Sequence, residues 1–184
     1  MDTDRDLLTR SAAGDSGAFE SFVKRHQASV FRVLQAIASS NADAEDALQE
    51  TFLAAWRSAR TFRGGESARA WVLTIARNAV HRQRRRRAGE PAEFLSLDDL
   101  AFKAGWGASA SDPRISTLED RTTLERALNR LAIDDREILI LRDLEGFSGD
   151  EVADVLGLSL AAMKSRLHRA RLRLAGSLRE ESHG

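Results

Sequence analysis

Residues 160–174, "LAAMKSRLHRARLRL", decide how this chain is read. Leu160, Met163, Leu167, Ala170 and Leu174 recur at intervals of three and four, so on a helix they form one apolar stripe. Lys164, Ser165, His168, Arg169 and Arg171 fall on the remaining surface. A cationic helix with one apolar face suits three partners: an anionic membrane surface, a protein groove that accepts helices, or the phosphates and base edges of DNA.

The residues just upstream choose among them. Ser148 with Glu151 three positions on is a capping box, and Phe147 and Val152 stand where a hydrophobic staple is formed. The helix opened there, "GDEVADVLG", ends at Gly157, the residue type that best tolerates a left-handed cap, and Ser159 is placed to cap the basic helix. A helix of about eight residues, a turn of about three with glycine and a longer basic helix spell a helix-turn-helix. In that arrangement the stripe packs on "EVADVL", while Lys164, Ser165, His168 and Arg169 enter a major groove. A membrane-surface helix needs a broader bulky face and no capped partner at this spacing. A solvated basic helix on a bundle leaves the polar face without a role. DNA is the reading this pattern favours.

Working outward, "LERALNRLAIDDREILILRDLEGFS" (124–148) gives two further helices. The N-terminal part is helical throughout. Phe19, Phe22, Val23, His26, Val30, Leu34 and Ile37 mark one amphipathic helix. Ala44, Leu48, Phe52 and Ala55 mark a second, whose acidic first turn "NADAED" complements the helix dipole. "SARAWVLTIARNAVHRQRRRR" (67–87) marks a third, with Trp71, Ile75 and Ala79 at helical spacing, and the glycine loop "RTFRGGES" precedes it. No stretch alternates as a strand does. Both prolines, Pro91 and Pro113, lie in residues 88–117 with three glycines and many small polar residues, a linker composition within which "FLSLDDLAF" has the pattern of a short helix. The expected fold is all-α: two small helical domains, residues 1–87 and 118–184, joined by a flexible linker, 88–117, with the helix-turn-helix in the C-terminal domain.

Composition narrows the function. With 42% hydrophobic and 30% charged residues among 184, the chain is an ordinary globular protein. No apolar run approaches the ~20 residues that span a bilayer, and "MDTDRDLLTR" lacks a signal peptide's basic start and apolar centre, which points to the cytoplasm. The absence of cysteine excludes disulfides, thiolate catalysis and cysteine-ligated zinc. The formal net charge is zero, but its distribution is uneven. Residues 1–87 carry 15 Lys/Arg against 10 Asp/Glu, residues 88–117 carry 2 against 5, residues 118–154 carry 5 against 11, and residues 155–184 carry 6 against 2. Two basic patches are separated by acidic ground, and a polyanion responds to the local field.

The first patch holds "HRQRRRR" (81–87), following a polar helix face of Thr74, Arg77 and Asn78 and a loop with Phe62. Aromatic and amide groups beside arginines suit unpaired bases. Trp56 and Trp71 are expected in the bundle core. The second helix presents Asp46, Gln49, Glu50 and Leu53 opposite its apolar stripe, an acidic surface that repels DNA and suits a protein partner with basic residues. The histidines, His26, His81, His168 and His183, show no metal-ligand spacing, Asp98 with Asp99 reads as linker solvation, and no glycine loop cradles a phosphate. No catalytic set, metal, cofactor or small-molecule substrate is expected.

"DAEDALQETFLAAW" followed by "FRGGESARAWVLTIARNAVHRQRRR" resembles region 2 of the extracytoplasmic-function (ECF) sigma factors of the bacterial sigma-70 family. "LERALNRLAIDDREILILRDLEGFSGDEVADVLGLSLAAMKSRLHRAR" resembles their region 4, and together the blocks cover roughly residues 15–175 in the family's order. The resemblance leads to the expectation of no extension before region 2 or after region 4, as in the shortest members. The resemblance implies an alternative sigma factor that directs core RNA polymerase to promoters and assists −10 melting. Asp46, Gln49, Glu50 and Leu53 would face the β′ clamp helices, and region 4 would meet the β flap. The loop from Phe62 and Arg63 to Glu66, with the helix around Asn78, would hold a flipped non-template base of the −10 element. Arg77, Arg82, Arg84 and Arg85 would track its backbone. Lys164, Ser165, His168 and Arg169 would read the −35 duplex, with Arg171 on phosphate, while the acidic linker threads the cleft toward the RNA exit. An anti-sigma factor, often at the inner membrane, is the implied inhibitor.

Two positions depart from the family pattern. Ala161, Ala162 and Met163 replace the usual Gly-Thr-Val, removing a threonine suited to a phosphate contact, and Leu131–Ala132 replaces Leu-Pro at a helix start. The rival function is a stand-alone helix-turn-helix regulator, which would bind a palindrome with half-sites about one turn apart and need no polymerase.

Overall fold

The computed structural model describes residues 2–64, 67–86 and 118–181; Arg87, the linker 88–117 with its "FLSLDDLAF" helix, Glu66 and His183 lie outside the described residues. Local capping fixes where the helices begin. Thr3 and Asp6 form a reciprocal capping box that starts α1 (Asp4–Ala12). The Asp15 side chain caps α2 (Ser16–Ile37) and Ser40 caps α3 (Asn41–Ser58). A 3-10 turn (Ala59–Thr61) leads through the glycine loop to α4 (Ala68–Arg86). Beyond the linker come α5 (Leu118–Asn129), α6 (Ile133–Leu139), a π-helical turn (Ile140–Leu144), α7 (Gly149–Leu156) and α8 (Leu160–Glu181). The described residues contain no strand.

In the N-terminal bundle, Phe22, Val30, Leu34 and Leu73 fill the centre. Alanines line the α3–α4 contact, where Ala44, Ala47, Ala55, Ala76 and Ala79 are buried. Such small residues allow close helix approach. In the C-terminal half, Ile138, Leu141, Phe147, Val152 and Met163 form the centre, and α8 packs on α5, α6 and α7. The two halves are not held apart. The apolar core runs continuously from one to the other, with α2 against α6 and α4 against α7.

Two expectations need correction. Trp56 and Trp71 are half-buried rather than core residues, because each sits at the rim where α3 or α4 meets solvent. Trp56 stacks edge-on against Phe19 at 5.0 Å, and Trp71 lies 5.5 Å from the Phe62 ring. Leu160 is 37% exposed, since the stripe on α8 becomes buried only from Met163 onward.

Helix α1 has only two strongly apolar anchors, Leu7 and Leu8, and is fastened by charge. The Asp4 carboxylate accepts from the Arg25 guanidinium and from His26 Nε2, the latter at 2.9 Å. Burial pushes the His26 imidazole below its usual range, and the nearby Asp4 charge only partly restores it. His81 is lowered by burial as well, and by the arginines around it. In the unfolded chain both take up a proton near pH ~6.5, whereas in the folded chain they resist. Their contribution to stability is therefore present above that pH and lost as pH falls through the folded values. The unfolding free energy is expected to decline on going from pH ~7 to ~5.5, and His26→Gln should flatten the slope, as read by denaturant titration across that range.

Candidate nucleic-acid and protein interfaces

The helix-turn-helix is set by three local devices. Ser148 Oγ accepts from Glu151 N at 3.2 Å while the Glu151 carboxylate accepts from Ser148 N at 2.9 Å, closing the capping box. Phe147 and Val152 are both buried beside it. Gly157 ends α7 with φ +65, a left-handed conformation that disfavours any side chain. Ser159 then caps α8, its hydroxyl accepting from Ala162 N at 3.2 Å. Close approach also needs Gly149, where a Cβ would lie 3.0 Å from Met163 Cε and 3.3 Å from Leu160 Cδ1. Met163, Leu167 and Ala170 are buried, which turns Lys164, Ser165, His168 and Arg169 outward as one exposed row. Arg171 is exposed too, but its Nε and Nη2 are held by Asp143 at 3.0 and 2.6 Å.

Helix α3 exposes Asp46, Gln49 and Leu53, the last at 57%, with Glu50 half-buried beside them. Leu53 and Gln49 also border an apolar groove of about 440 Å³ with Phe19, Phe52 and Trp56, which the sequence reading missed because its aromatics come from two helices. Glu50 is engaged: Arg82 donates to it at 2.7 Å, and Arg86 lies 3.7 Å away.

On α4 and its approach, Arg63, Asn78 and Arg85 are exposed and Phe62 is half-buried against Trp71. The other arginines are occupied. Arg82 serves Glu50, Arg84 Nη2 donates to the Ile37 carbonyl at 2.7 Å, and Arg77 Nε donates at 3.0 Å to Glu137, a carboxylate from α6 whose side chain is only 1% exposed. Burial pushes the Glu137 carboxyl up, and Arg77 only partly offsets this. One step away, Glu145 accepts from Arg32 Nε at 2.5 Å, Arg69 Nη2 at 2.7 Å and Ser29 Oγ at 2.8 Å. Arg32, Arg69, Glu137 and Glu145 carry no signal in the sequence periodicity beyond the acid excess of residues 118–154.

Sequence models of the sigma-70 family match both halves: "Sigma-70 region 2" covers residues 22–90 and "Sigma-70, region 4" covers residues 121–174. The chain is 32% identical over 173 residues to the ECF RNA polymerase sigma factor SigM of Mycobacterium tuberculosis strain H37Rv, covering 94% of this chain and 83% of that protein. This protein is an ECF sigma factor of the sigma-70 family. A second relative is the RNA polymerase sigma factor CnrH of Cupriavidus metallidurans, 30% identical over 190 residues, with 98% of this chain and 97% of that one covered. The solved structure of CnrH in complex with the cytosolic domain of CnrY matches 97% of the chain and 99% of CnrH with a TM-score of 0.72 at 28% identity. The sigma factor RpoE in complex with the anti-sigma factor NepR from Bartonella quintana matches 88% of the chain and 96% of RpoE, with a TM-score of 0.67 at 28% identity.

The sigma factor therefore has two helical domains, one per matched region, and acts as an alternative sigma factor. Helix α1 lies ahead of the region 2 match, which begins at Phe22 on α2. Among the described residues no three His, Asp or Glu side chains are grouped to hold a metal ion, and no helix is long and apolar enough to cross a membrane. The turn geometry of the helix-turn-helix is open to a simple test. Gly157→Ala should cost about 1–2 kcal/mol by forcing a Cβ into the left-handed region, measured by urea denaturation.

Proposed function

We propose that residues 1–87 dock on core RNA polymerase and capture the −10 element, that residues 118–184 read the −35 element, and that residues 88–117 connect them. The observation that carries this reading is the pairing of two unlike exposed surfaces. One is the row Lys164, Ser165, His168 and Arg169 on a capped recognition helix, and the other is the acidic, leucine-bearing face of α3. Cations at hydrogen-bonding distance from base edges and phosphates read duplex DNA, with Arg171 reaching phosphate once it exchanges Asp143 for it. The α3 face, Asp46, Gln49, Glu50 and Leu53, suits the basic and apolar surface of the β′ clamp helices, and region 4 meets the β flap. Phe62, Arg63 and Asn78 border the pocket for an extruded base, and Arg77, Arg82, Arg84 and Arg85 follow its backbone. Opening the duplex costs a few kcal/mol per unstacked base, and base capture offsets that without nucleotide hydrolysis.

The chain works as a non-catalytic, cytoplasmic initiation factor. Its affinity for DNA arises from two weak modules that the polymerase holds at fixed separation, so effective concentration replaces intrinsic affinity. Any 30-residue chain of flexible composition would span about 30 Å root-mean-square, which is too loose to define that separation alone. An anti-sigma factor is the inhibitor in this reading, supported by the solved RpoE–NepR complex, and it is the route by which the chain is held at the inner membrane.

Arg169→Ala should lose about 1–3 kcal/mol of −35 duplex affinity in the holoenzyme, measured by competition binding, and unchanged promoter selectivity removes it from base reading. Asp46→Arg should abolish capture of core polymerase in a pull-down while circular dichroism stays unchanged. Retained capture moves the docking face away from α3.

A further inference from the structure

The −10 surface of α4 is partly covered by the chain's own C-terminal domain. Helix α7 packs on α4, Glu137 occupies Arg77, and the next acidic residue to reach the N-terminal domain, Glu145, is almost wholly enclosed there. We propose that Glu145, clamped by Arg32, Arg69 and Ser29, is an intramolecular latch that closes region 4 over region 2, so that Glu137 stands where promoter phosphate would approach Arg77. The masking half of this inference rests on the −10 reading given above; the latch itself does not.

The geometry separates the roles of the two carboxylates. The Glu145 side chain is 3% exposed and gains donors from two helices of the other domain: Ser29 and Arg32 on α2, Arg69 on α4. Arg69 Nη2 also donates to the Glu145 carbonyl at 3.0 Å and to Ser29 Oγ at 3.1 Å, and its guanidinium lies 3.9 Å from the centre of the Phe147 ring. Burial alone would push the Glu145 carboxyl up, but the hydrogen bonds from Arg32 and Ser29 and the charges of Arg32 and Arg69 outweigh it and hold it below the usual range. Its anion is thus favoured by domain contact. Glu137 is the opposite case, raised by burial with one arginine in partial compensation, so its charge burdens the closed state while it masks Arg77. A third crossing contact, Arg136 Nη1 to the Ala36 carbonyl at 3.3 Å, satisfies the C-terminal end of α2.

Buried ion pairs recover little more than the desolvation they require, so in this closure they add direction to the apolar contact of α2 with α6 and α4 with α7. The closure is also selective. The row Lys164, Ser165, His168 and Arg169 stays exposed, so the closed chain covers the −10 side at Arg77 while it presents the −35 side.

The chain has no cysteine, so Gln27→Cys and Asp154→Cys, both at exposed positions of opposite domains, can carry a donor and an acceptor dye on the full-length protein. The unmodified background is expected to give a dominant high-transfer population. Glu145→Gln, and separately the pair Arg32→Ala with Arg69→Ala, should each shift it toward low transfer with helix content retained. If about a tenth of the molecules are open before the change, capture of a mixed-sequence single-stranded oligonucleotide should tighten about tenfold. A transfer efficiency that neither set of variants alters, in protein that remains folded, overturns the latch. Opened domains with unchanged oligonucleotide capture overturn the masking. If the opened chain captures the oligonucleotide more tightly but Arg77→Ala does not weaken it, the latch stands and the −10 role of Arg77 is what fails.

Discussion

The Glu145 carboxylate orients the contact between the two halves of this protein. It stands at the end of a π-helical turn and is reached by Arg32 and Ser29 of α2 and Arg69 of α4, which makes the apolar contact between the halves directional. Hydrophobic burial alone would let α7 slide on α4, because apolar area carries little orientation. Three donors converging on one buried anion fix the register. With that register set, Glu137 meets Arg77, Arg136 reaches the end of α2, and the recognition row of α8 points outward.

The charge distribution then has a physical meaning that the zero net charge conceals. Arg82 binds Glu50 within the N-terminal domain, while Arg77 and the Arg32–Arg69 pair bind carboxylates of the other. Carboxylate and phosphate offer a guanidinium similar hydrogen-bonding geometry, so in the proposed function these contacts are ones that promoter phosphate can replace. An initiation factor that must release promoter DNA as well as grip it gains from such exchange. In the proposed function neither DNA-facing surface is strong alone, and a larger assembly has to hold both at once.

Much of this was legible in the sequence where the signal is local. The capping box at Ser148, the left-handed Gly157 and the cap at Ser159 depend on residues within a few positions of one another, and the structure shows all three. Helices α2, α3, α4 and α8 announce themselves through long apolar stripes. Helix α1 did not, because nine residues with two large apolar anchors give too short a stripe, and its fastening to α2 is ionic. The π turn was hidden for a related reason, as "ILILRDL" is apolar enough to satisfy several helical registers at once. The exposed row of α8 and the acidic face of α3 were readable from periodicity. What was not readable was that Arg77, Arg82 and Arg84 are spoken for, since their partners lie up to 60 positions away in the chain. The acid excess of residues 118–154 was visible, but as ground between two basic patches; its packing against the first is a tertiary fact.

The claim on which the functional account stands is that core polymerase, and not the tether, spaces the two reading surfaces. Run-off transcription with purified chain and bacterial core RNA polymerase, on templates that differ only in the length between the −10 and −35 elements, tests it most directly. The account predicts transcripts confined to a narrow optimum of spacing and none without the chain. Equal transcription at every spacing, as a freely sliding tether would give, contradicts it.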